Sequence, residues 1–364
     1  MSEWTTYRLI PKPGAGFHFG LRGLEQEESA PHCPSDTLFA ALVATLADLA
    51  GGEGVDTFVA PFERGQPPFL LTSVFPRAGD LPLLPFPQVK VDLQPGPGQR
   101  KLLKRMRYVS PAICRRLLGG QAMDGYLDRK DQKAAFLQGG RVWLTADEID
   151  ALPTDWQDSE PGELREKRVW ASKPIDRVTV DRVSSASAIY RIGRTAYAPG
   201  CGLWLGLQWL DGVDLRLEDQ LKTLLAHLGD RGLGGERSVG YGQFTVQEAD
   251  LALDLPPAPA DGPLLTLSRY LPRDSELPDA LRGVASYRLD AVAGWLGAPG
   301  QKAQRRKQVR LLTEGSLFEP IGSGPWGRLA DVRPQGWEAH AIWRYGYACP
   351  VGLTSAIRTG GHNA

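Results

Sequence analysis

The feature that most constrains this 364-residue chain is the glycine-rich stretch at residues 229–242, Gly-Asp-Arg-Gly-Leu-Gly-Gly-Glu-Arg-Ser-Val-Gly-Tyr-Gly. It holds six glycines among fourteen residues. Each glycine costs backbone entropy on folding, so this density fits a chain that repeatedly takes positive φ, or one that another backbone or a ligand approaches closely. Successive N–H groups in such a loop can line a concavity for phosphate oxygens. Arg231 and Arg237 would add charge, and Tyr241 would offer a stacking face.

The elements around this glycine-rich loop follow the order helix, loop, strand. Leucines at helical spacing predict a helix that ends at Gly229, and alternation over residues 241–248 predicts a strand. Nucleotide-binding P-loops and dinucleotide fingerprints need strand, glycines and then helix, and the P-loop lysine is missing. The order disfavours nucleotide hydrolysis, and it leaves a tight turn packed on its own sheet as the alternative to phosphate binding. The leucines are Leu217, Leu221, Leu224, Leu225 and Leu228.

Composition sets the broad class of the protein. The chain has 42 Gly and 29 Pro, about a fifth of its residues against a usual ~12%, which predicts many turns and long ordered loops. Its length predicts two domains, residues 1–254 and 263–364, joined by a proline-rich linker at 255–262. Four scattered cysteines predict neither a metal site nor disulfides, which fits a reducing cytoplasm. We expect no signal peptide and no membrane-spanning run.

Charge is segregated along the chain although the formal net charge is zero. Residues 99–141 hold eleven Lys or Arg against three Asp, a net charge of +8, and residues 302–310 add five cations and no acid. Acidic runs lie at residues 25–28 and 147–163. The pattern permits a basic groove and a separate acidic face for a protein partner. Solvated charge without a partner is the alternative for each run.

A basic hairpin is predicted at residues 165–195. Val178 and Val180 alternate with Arg177 and Thr179 in the manner of a strand, and a serine-rich turn follows. Cations, hydroxyls and Tyr190 near such a tip suit a phosphate backbone and an adjoining base. An ordinary hairpin with solvated arginines stays open as the alternative.

The remaining elements predict an α+β fold. We expect a strand at residues 5–10, a helix from Ser35 that Gly51 and Gly52 end, and a helical basic excursion around residues 102–118. Residues 201–210 predict a central strand beside the first and last strands of the sheet. Ser35 or Asp36 would cap the first helix. Further strands are predicted at residues 264–271, 286–296, 307–312 and 339–351.

This order fits a ferredoxin-like or RRM-like sheet. The aromatic residues with which RRM sheets stack bases are not evident on the predicted strands. We therefore expect RNA to be contacted by loops.

Several motifs carry a family resemblance. Gly-Leu-Gly-Gly-Glu-Arg-Ser-Val-Gly-Tyr-Gly, between a last helix and a last strand, resembles the glycine-rich loop of the RAMP proteins of CRISPR systems. Among them it is most similar to the fourth subunit of the type III-A Csm effector complex. The stretch at residues 32–42, the hairpin, Gly315-Ser316 and the closing Trp-Arg-Tyr-Gly-Tyr-Ala-Cys-Pro-Val-Gly-Leu are similar as well. In the hairpin, Ser184-Ser185 stand where the family pattern has Thr-Gly. Sibling RAMP subunits that cut target RNA have an acid near the position of Asp36, so the resemblance implies a catalytic role for Asp36 as the alternative to a helix cap.

The resemblance implies two ferredoxin-like or RRM-like RAMP domains with loop and hairpin insertions. It implies a non-catalytic subunit, without cofactor or metal, that caps the 5′ tag of the CRISPR guide RNA (crRNA). The implied partners are the large signalling subunit and the repeated backbone subunit of the complex, with target RNA contacted indirectly. The expected RNA-binding residues are Gly232, Gly234, Gly235, Arg237, Ser238, Gly240, Tyr241, Gly242, Arg231, Arg177, Asp181, Arg182, Ser184, Ser185, Tyr190, Arg191, His18, Lys101, Arg105 and Arg107.

The alternative function is a metal-independent RAMP endoribonuclease that processes precursor crRNA. Such cleavage needs a general acid and a general base near the 2′-hydroxyl and the leaving oxygen. His18 and His32 are the candidates on the RNA side of the sheet, although their spacing does not define a pair. His227 lies among the leucines of a predicted helix and is interpreted as structural.

Overall fold

The computed structural model describes residues 4–20, 28–89, 97–127, 133–180, 187–210, 212, 214–259, 262–282, 286–296 and 304–353. Helices and strands mix throughout these ranges, which confirms the predicted α+β class. The α-helices of the described residues are α1 (Ser35–Glu63), α2 (Pro97–Arg105), α3 (Pro111–Leu118), α4 (Thr154–Gln157), α5 (Pro161–Glu166) and α6 (Leu215–Arg231). Short 3-10 turns lie at Ala146–Ala151, Arg237–Val239 and Asp279–Leu281.

The strands of the N-terminal two thirds are β1 (Trp4–Pro11), β2 (Phe69–Leu71), β3 (Phe75–Ala78), β4 (Leu81–Pro82), β5 (Leu84–Pro85), β6 (Tyr108–Val109), β7 (Ala134–Leu137), β8 (Val142–Thr145), β9 (Trp170–Val180), β10 (Ser187–Tyr197), β11 (Cys201–Trp209) and β12 (Phe244–Glu248). Those of the C-terminal third are β13 (Leu264–Thr266), β14 (Leu289–Val292), β15 (Trp295–Leu296), β16 (Gln304–Arg305), β17 (Val309–Leu312), β18 (Leu317–Phe318), β19 (Ala330–Asp331), β20 (Trp343–Arg344) and β21 (Pro350–Gly352).

The main sheet has six strands in the order β12-β1-β11-β3-β4, with β2 also paired to β11. Every residue of β11 is buried, which explains its continuous apolar sequence, because both faces of the strand are covered. The predicted position of β11 beside the last strand is wrong. Strand β12 pairs with the opposite edge of β1, so β1 separates the two.

Helix α1 begins as predicted but extends further. It continues past Gly51, which takes φ 67° and ψ −169° and kinks the helix, to Glu63. The helix resumes because Phe58 and Phe62 bury their rings in the core. The predicted end at Gly51 and Gly52 is therefore wrong.

The first turn of α1 is buried. Neither Ser35 nor Asp36 caps the helix: Pro34 occupies the N-cap position without a side-chain hydrogen bond. The Ser35 N–H donates to Ser73 Oγ at 2.8 Å, and Arg344 donates to Asp36 Oδ2 at 2.6 Å. Asp36 is only 1% exposed and neutralised by its arginine, so the geometry supports neither the cap nor a catalytic acid.

By length and hydropathy alone, α1 is a helix that could cross a membrane. Its apolar residues pack into the same core as the main sheet, and its first turn carries the buried Asp36. We interpret α1 as a core helix.

The C-terminal third is built from short ladders. Strands β18-β13-β21 form one sheet, and β14/β17, β15/β16 and β19/β20 are two-stranded. The long strands predicted at residues 264–271, 286–296 and 339–351 are thus shorter or interrupted. Tyr345 and Tyr347 lie in the same hydrophobic cluster as Phe39 and Phe62 of α1. The two-domain division stays a prediction.

Candidate nucleic-acid interface

Helix α6 enters the glycine-rich loop later than the sequence predicted. It runs through Gly229 and ends at Arg231, and Gly232 follows with φ 90°. A Cβ on Gly229 would lie 2.4 Å from the carbonyl oxygen of Phe244 in β12. The prediction that Gly229 ends the helix is wrong, because this glycine serves close packing of the helix on the sheet.

Two further glycines let the loop touch neighbouring backbone. Gly232 and Gly234 take φ values of 90° and 100°, in the region that favours glycine. A Cβ on Gly232 would lie 2.2 Å from the Tyr241 carbonyl oxygen, and one on Gly234 would lie 2.5 Å from that of His18. These glycines therefore allow the loop to pack closely against itself and against the bend at residues 16–20.

Most amide groups of the loop are committed to backbone acceptors, so the expected long row of free donors does not form. A shorter row remains at Glu236, whose left-handed φ of 57° precedes the turn Arg237–Val239. Such a sequence of conformations turns successive N–H groups into an anion-binding nest. The amides of Glu236, Arg237 and Ser238 donate to no acceptor in the described part of the chain. The committed donors are Leu233 to Gly242 (2.9 Å), Gly235 to His18 (2.9 Å), Val239 to Glu236 (3.2 Å), Gly240 to Arg237 (3.0 Å), Tyr241 to Glu236 (3.2 Å) and Gly242 to Gly16 (2.7 Å).

The two arginines of the loop have different surroundings. Arg237 is exposed beside the nest and, among the described residues, forms no ion pair. Arg231 is paired with Asp48 of α1 and donates to the Ala44 carbonyl oxygen at 3.2 Å. Only Arg237 therefore adds free positive charge to the nest.

Strands β9 and β10 form the predicted hairpin. The eleven residues Trp170–Val180 pair in antiparallel register with the eleven residues Ser187–Tyr197. Arg191 donates to Asp176 on the opposite strand at 3.0 Å, so its charge is partly compensated. The tip residues predicted to bind RNA, Asp181, Arg182, Ser184 and Ser185, lie outside the described residues.

The hairpin packs on the loop through Tyr241. The guanidinium carbons of Arg177 and Arg194 lie 5.3 and 6.0 Å from the centroid of its ring. Tyr241 is 5% exposed, and its buried hydroxyl has no hydrogen-bond partner in the described ranges. The expectation of an open stacking face on Tyr241 is wrong, because the ring holds two arginines. Tyr190, opposite Arg177 in the register, is half-buried.

His18 joins the same contact. Its Nδ1 donates to the Gly193 carbonyl oxygen in β10 at 2.8 Å, because a carbonyl can only accept. A Cβ on Gly235 would lie 2.7 Å from the His18 ring. Arg194 donates to the Gly14 carbonyl oxygen at 2.7 Å. The structure thus brings together the glycine-rich loop, the bend at residues 14–20 and the base of the hairpin.

A cleft of about 980 Å³ lies beside the hairpin base. Lys173 of β9 lines this basic cleft, and Arg194, directly opposite Lys173 in the register, reaches the loop. Because directly opposite residues of paired strands share a face, the loop and the cleft are neighbours at the hairpin base. Eight basic residues outnumber four acidic ones in the lining. They are Lys104, Arg105, Arg107, Arg141, Arg168, Lys173, Arg269 and Arg288 against Glu28, Glu166, Asp290 and Glu314.

The basic excursion supplies one wall of the cleft but is not a single helix. It forms α2, strand β6 and α3, and the Ser110 hydroxyl accepts from Ile113 N–H to cap α3. The predicted continuous helix over 102–118 is wrong because β6 pairs with β5 and β8 in the middle of it. Arg105 and Arg107 face the basic cleft, whereas Lys101 is exposed outside it.

A buried polar group forms the floor of the basic cleft. His32 Nδ1 lies 2.8 Å from the Tyr108 hydroxyl, and its Nε2 lies 4.0 Å from a Glu314 oxygen. Arg269 and Ser73 donate to Glu314 at 3.2 and 2.6 Å. Burial lowers the pKa of His32. Burial alone would raise the pKa of Glu314, but the Arg269 charge and the Ser73 hydroxyl bring it below its usual value.

His18 and His32 contact different groups. His32 lines the basic cleft, whereas His18 lies with the loop. Within the described ranges, no group of three His, Cys, Asp or Glu side chains is arranged as metal ligands, and the four cysteines are buried and free.

Sequence comparison shows which known proteins this chain is similar to. The family model of the CRISPR Csm4 C-terminal domain matches residues 261–353. Csm4 of Mycobacterium tuberculosis is 28% identical over 340 residues, which cover 92% of this chain and 93% of that protein. Csm4 of Streptococcus thermophilus is 26% identical over 353 residues, covering 93% and 96%. These matches confirm the resemblance to Csm4 of type III-A CRISPR systems.

Solved structures share the fold of this chain. A chain in the crystal structure of a Csm3–Csm4 subcomplex of the type III-A interference complex matches with a TM-score of 0.68 at 16% identity, covering 96% of this chain and 99% of that one. A chain of a Csm1–Csm4 cassette in complex with pppApA matches with a TM-score of 0.56 at 17% identity, covering 96% and 98%. The RAMP fold implied by the sequence resemblance is thereby confirmed.

Sequence reasoning missed part of the candidate interface. Arg194 was not singled out, although it covers Tyr241, and Lys173 and Arg168 were not connected with the basic excursion. The cleft is assembled from segments more than a hundred residues apart, so charge runs could not reveal it. The alternation of β9 and β10 was the one available signal, since it places Lys173 opposite Arg194 once the register is known.

Proposed function

We propose that this chain is a non-catalytic, cytoplasmic RNA-binding subunit of a type III-A Csm complex, and that it holds the 5′ tag of the crRNA. In this proposal the nest at residues 236–238 binds a phosphate. Arg237, Arg177 and Arg194 supply charge around the nest, and the basic cleft takes the adjoining backbone.

One observation carries the proposal: the hairpin base joins two basic sites through a single strand pair. Lys173 lines the basic cleft, and Arg194 opposite it covers Tyr241 at the glycine-rich loop. Neighbouring residues on paired strands lie about 5 Å apart. One continuous RNA strand can therefore contact both sites. The excess of cations over acids in the cleft lining matches the charge of such a strand.

The partners follow from the family. The solved relatives are a Csm3–Csm4 subcomplex and Csm1–Csm4 cassettes, and we propose the corresponding backbone and large subunits as partners here. Residues 147–163 present an acidic surface, which suits a basic partner. Its exposed acids are Asp147, Asp150, Asp155, Asp158, Glu160 and Glu163. Target RNA would be contacted only through the guide.

The endoribonuclease alternative receives less support from the geometry. Cleavage without metal needs an acid and a base directed at one phosphodiester. His32 is hydrogen-bonded to Tyr108 and faces Glu314 in the basic cleft, whereas His18 is hydrogen-bonded to the Gly193 carbonyl oxygen and does not line the cleft. The two rings therefore address different sites, and we propose binding without cleavage.

The test uses the purified full chain with end-labelled RNA that carries or lacks the repeat-derived 5′ tag, in EDTA. We expect tag-dependent binding with the RNA intact. A defined cut in EDTA would overturn the non-catalytic assignment, and a His32→Gln variant would show whether that ring is responsible. Equal affinity for both RNAs would overturn tag recognition.

A further inference from the structure

The two segments 286–296 and 304–317 form a long β-ribbon next to the basic cleft. Three sets of backbone contacts tie them together: the ladder β14/β17, the ladder β15/β16, and single hydrogen bonds between them. Leu317 N–H donates to the Ser286 carbonyl oxygen at 3.1 Å, and Arg306 N–H donates to that of Gly294 at 2.9 Å. We call these two segments the C-terminal ribbon. Because these ladders fix the register of the two segments, each side chain can be assigned to one face of the ribbon.

One side of the C-terminal ribbon belongs to the basic cleft. Arg288 and Asp290 line the cleft, and Arg269 donates to Asp290 at 2.9 Å. Successive residues of a strand point to opposite faces, so Tyr287, Leu289 and Ala291 share the other face. All three are exposed, with Tyr287 at 41% and Leu289 at 44%. The ribbon thus continues the cleft lining onto an outer surface.

The outer surface combines an exposed indole with unpaired cations. Trp295 is 56% exposed and lies directly opposite Arg305 in β16, so the two side chains share a face. Arg305, Lys307 and Arg310 are exposed and form no ion pair within the described part of the chain. The acids of the described ribbon, Asp290 and Glu314, are both paired with Arg269.

This chemistry selects a class of partner. A free indole face beside unpaired cations matches a single-stranded nucleic acid, whose bases stack on aromatic rings while its phosphates meet Lys and Arg. Protein interfaces also contain many Trp, Tyr and Arg residues, but their buried cores are depleted of charge and of lysine. Three unpaired cations around the indole therefore favour RNA over a protein. Trp295 and Tyr287 bracket the ladder at its two ends, so bases can be engaged at more than one point along it.

We propose that the C-terminal ribbon binds a stretch of single-stranded RNA that leaves the basic cleft, with Trp295 as a stacking platform and Arg305, Lys307 and Arg310 as phosphate contacts. The inference rests on the proposed RNA binding and extends it to a surface outside the loop, the hairpin and the cleft. It assigns a role to three cations of the basic run, Arg305, Lys307 and Arg310.

The test compares two RNAs on the full chain, one of about 6 and one of about 16 nucleotides, which bracket the usual range of single-strand site sizes. The wild-type chain should bind the longer RNA more tightly. Trp295→Ala should weaken binding of the longer RNA about fivefold or more while leaving the short one unchanged, and Trp295→Phe should retain most of the affinity. A double Arg305→Ala, Arg310→Ala variant should lower the salt slope for the longer RNA by about 1.4, two contacts at about 0.7 each.

The matched control removes two exposed cations elsewhere. Arg64 directly follows α1, and Arg216 is the second residue of α6. Neither forms an ion pair among the described residues. Their double alanine variant should bind both RNAs as the wild-type chain does. A cleft variant, Arg105→Ala with Arg107→Ala, should weaken binding of both RNAs.

The outcomes separate this inference from the function on which it rests. Ribbon variants that bind both RNAs like the wild type, while the cleft variant loses both, would overturn the ribbon and keep the proposed function. Wild-type protein that binds neither RNA would overturn both. Ribbon variants that keep RNA binding but lose a protein subunit of the complex would also overturn the inference and make the ribbon a protein interface.

Discussion

Arg237 is the side chain that the proposed phosphate site depends on most, because it is exposed beside the free amides of residues 236–238. Arg237→Ala should weaken RNA binding by about 1.5 to 3 kcal/mol, the usual range for a hydrogen bond to a charged group. The slope of log K against log salt should fall by about 0.7. Fluorescence anisotropy over a salt series measures both.

Arg231 is the matched control at the same scale. It lies in the same loop but is paired with Asp48 of α1. Arg231→Ala should leave both affinity and salt slope close to the wild type. Equal losses in the two variants would show that net charge, rather than the nest, governs binding.

His32 makes stability depend on pH. Its pKa is lowered chiefly by burial, so below about pH 6.5 the unfolded state binds a proton that the folded state resists. The free energy of unfolding should therefore have its full value above about pH 6.5 and decrease as the pH falls below it. Glu314, whose pKa also lies below its usual value, should extend the decline below about pH 4.5.

Thermal unfolding measured from pH 7.5 to 5 checks this expectation. His32→Gln should flatten the profile over that range, because the group that titrates has been removed. The exposed His227 is the control, and His227→Gln should leave the wild-type profile unchanged. A wild-type melting temperature that rises as pH falls from 7 to 5 would contradict the assignment.

At the scale of elements, two glycines of the glycine-rich loop distinguish the cost of backbone strain from the cost of steric contact. Gly240 and Gly242 both have positive φ, 85° and 80°, but a Cβ on Gly240 meets nothing within 4 Å, whereas one on Gly242 would lie 2.2 Å from the Leu233 carbonyl oxygen. Gly240→Ala should cost about 1 to 2 kcal/mol of stability. Gly242→Ala should add about 1 to 3 kcal/mol for overpacking. Chemical denaturation measures both costs, and equal costs would mean that the loop is not packed as described.

The observed helices and strands also show which sequence signals were sufficient to predict them. Alternation in β9 and β10 and the apolar run of β11 predicted real strands, because a period of two and full burial are local properties. The kink of α1 at Gly51 was not predictable in this way. Glycine usually ends a helix, and only tertiary burial of Phe58 and Phe62 continues this one. Similarly, the break between α2 and α3 depends on pairing of β6 with β8, more than thirty residues away.

The sequence located the loop and the hairpin of the candidate site but did not show that they contact each other. Tyr241 was expected to stack on a base, and only the three-dimensional contact with Arg177 and Arg194 shows that its face is occupied. Lining residues such as Arg269 and Glu314 come from the C-terminal third, and no local pattern connects them with residues 99–141. Composition and spacing do not encode such distant contacts.

At the scale of the whole molecule, the C-terminal third is tied to the first helix. Phe39 and Tyr345 have ring centroids 5.1 Å apart, Tyr347 Oη donates to the Phe62 carbonyl oxygen, and Arg344 pairs with the buried Asp36. The described residues from both ends of the chain share one hydrophobic cluster. We therefore expect one cooperative unfolding transition.

Asp36→Ala tests this coupling. Removing one partner of a buried ion pair leaves Arg344 uncompensated and should destabilise the protein by about 3 to 5 kcal/mol. Scanning calorimetry should show a single transition shifted to lower temperature as a unit. Two transitions, of which only one shifts, would instead show that residues 1–254 and 263–364 unfold separately.

The central claim is that the guide tag lies along the glycine-rich loop, the hairpin base and the basic cleft. The most direct measurement is photocrosslinking of a crRNA with a photoreactive base within its 5′ tag to the full chain, followed by mapping of the adducts by mass spectrometry. We expect adducts in residues 14–20, 170–194 and 231–242 and in the walls of the cleft. Adducts confined to the outer surface of α1 and α6, or none above an untagged RNA, would contradict it.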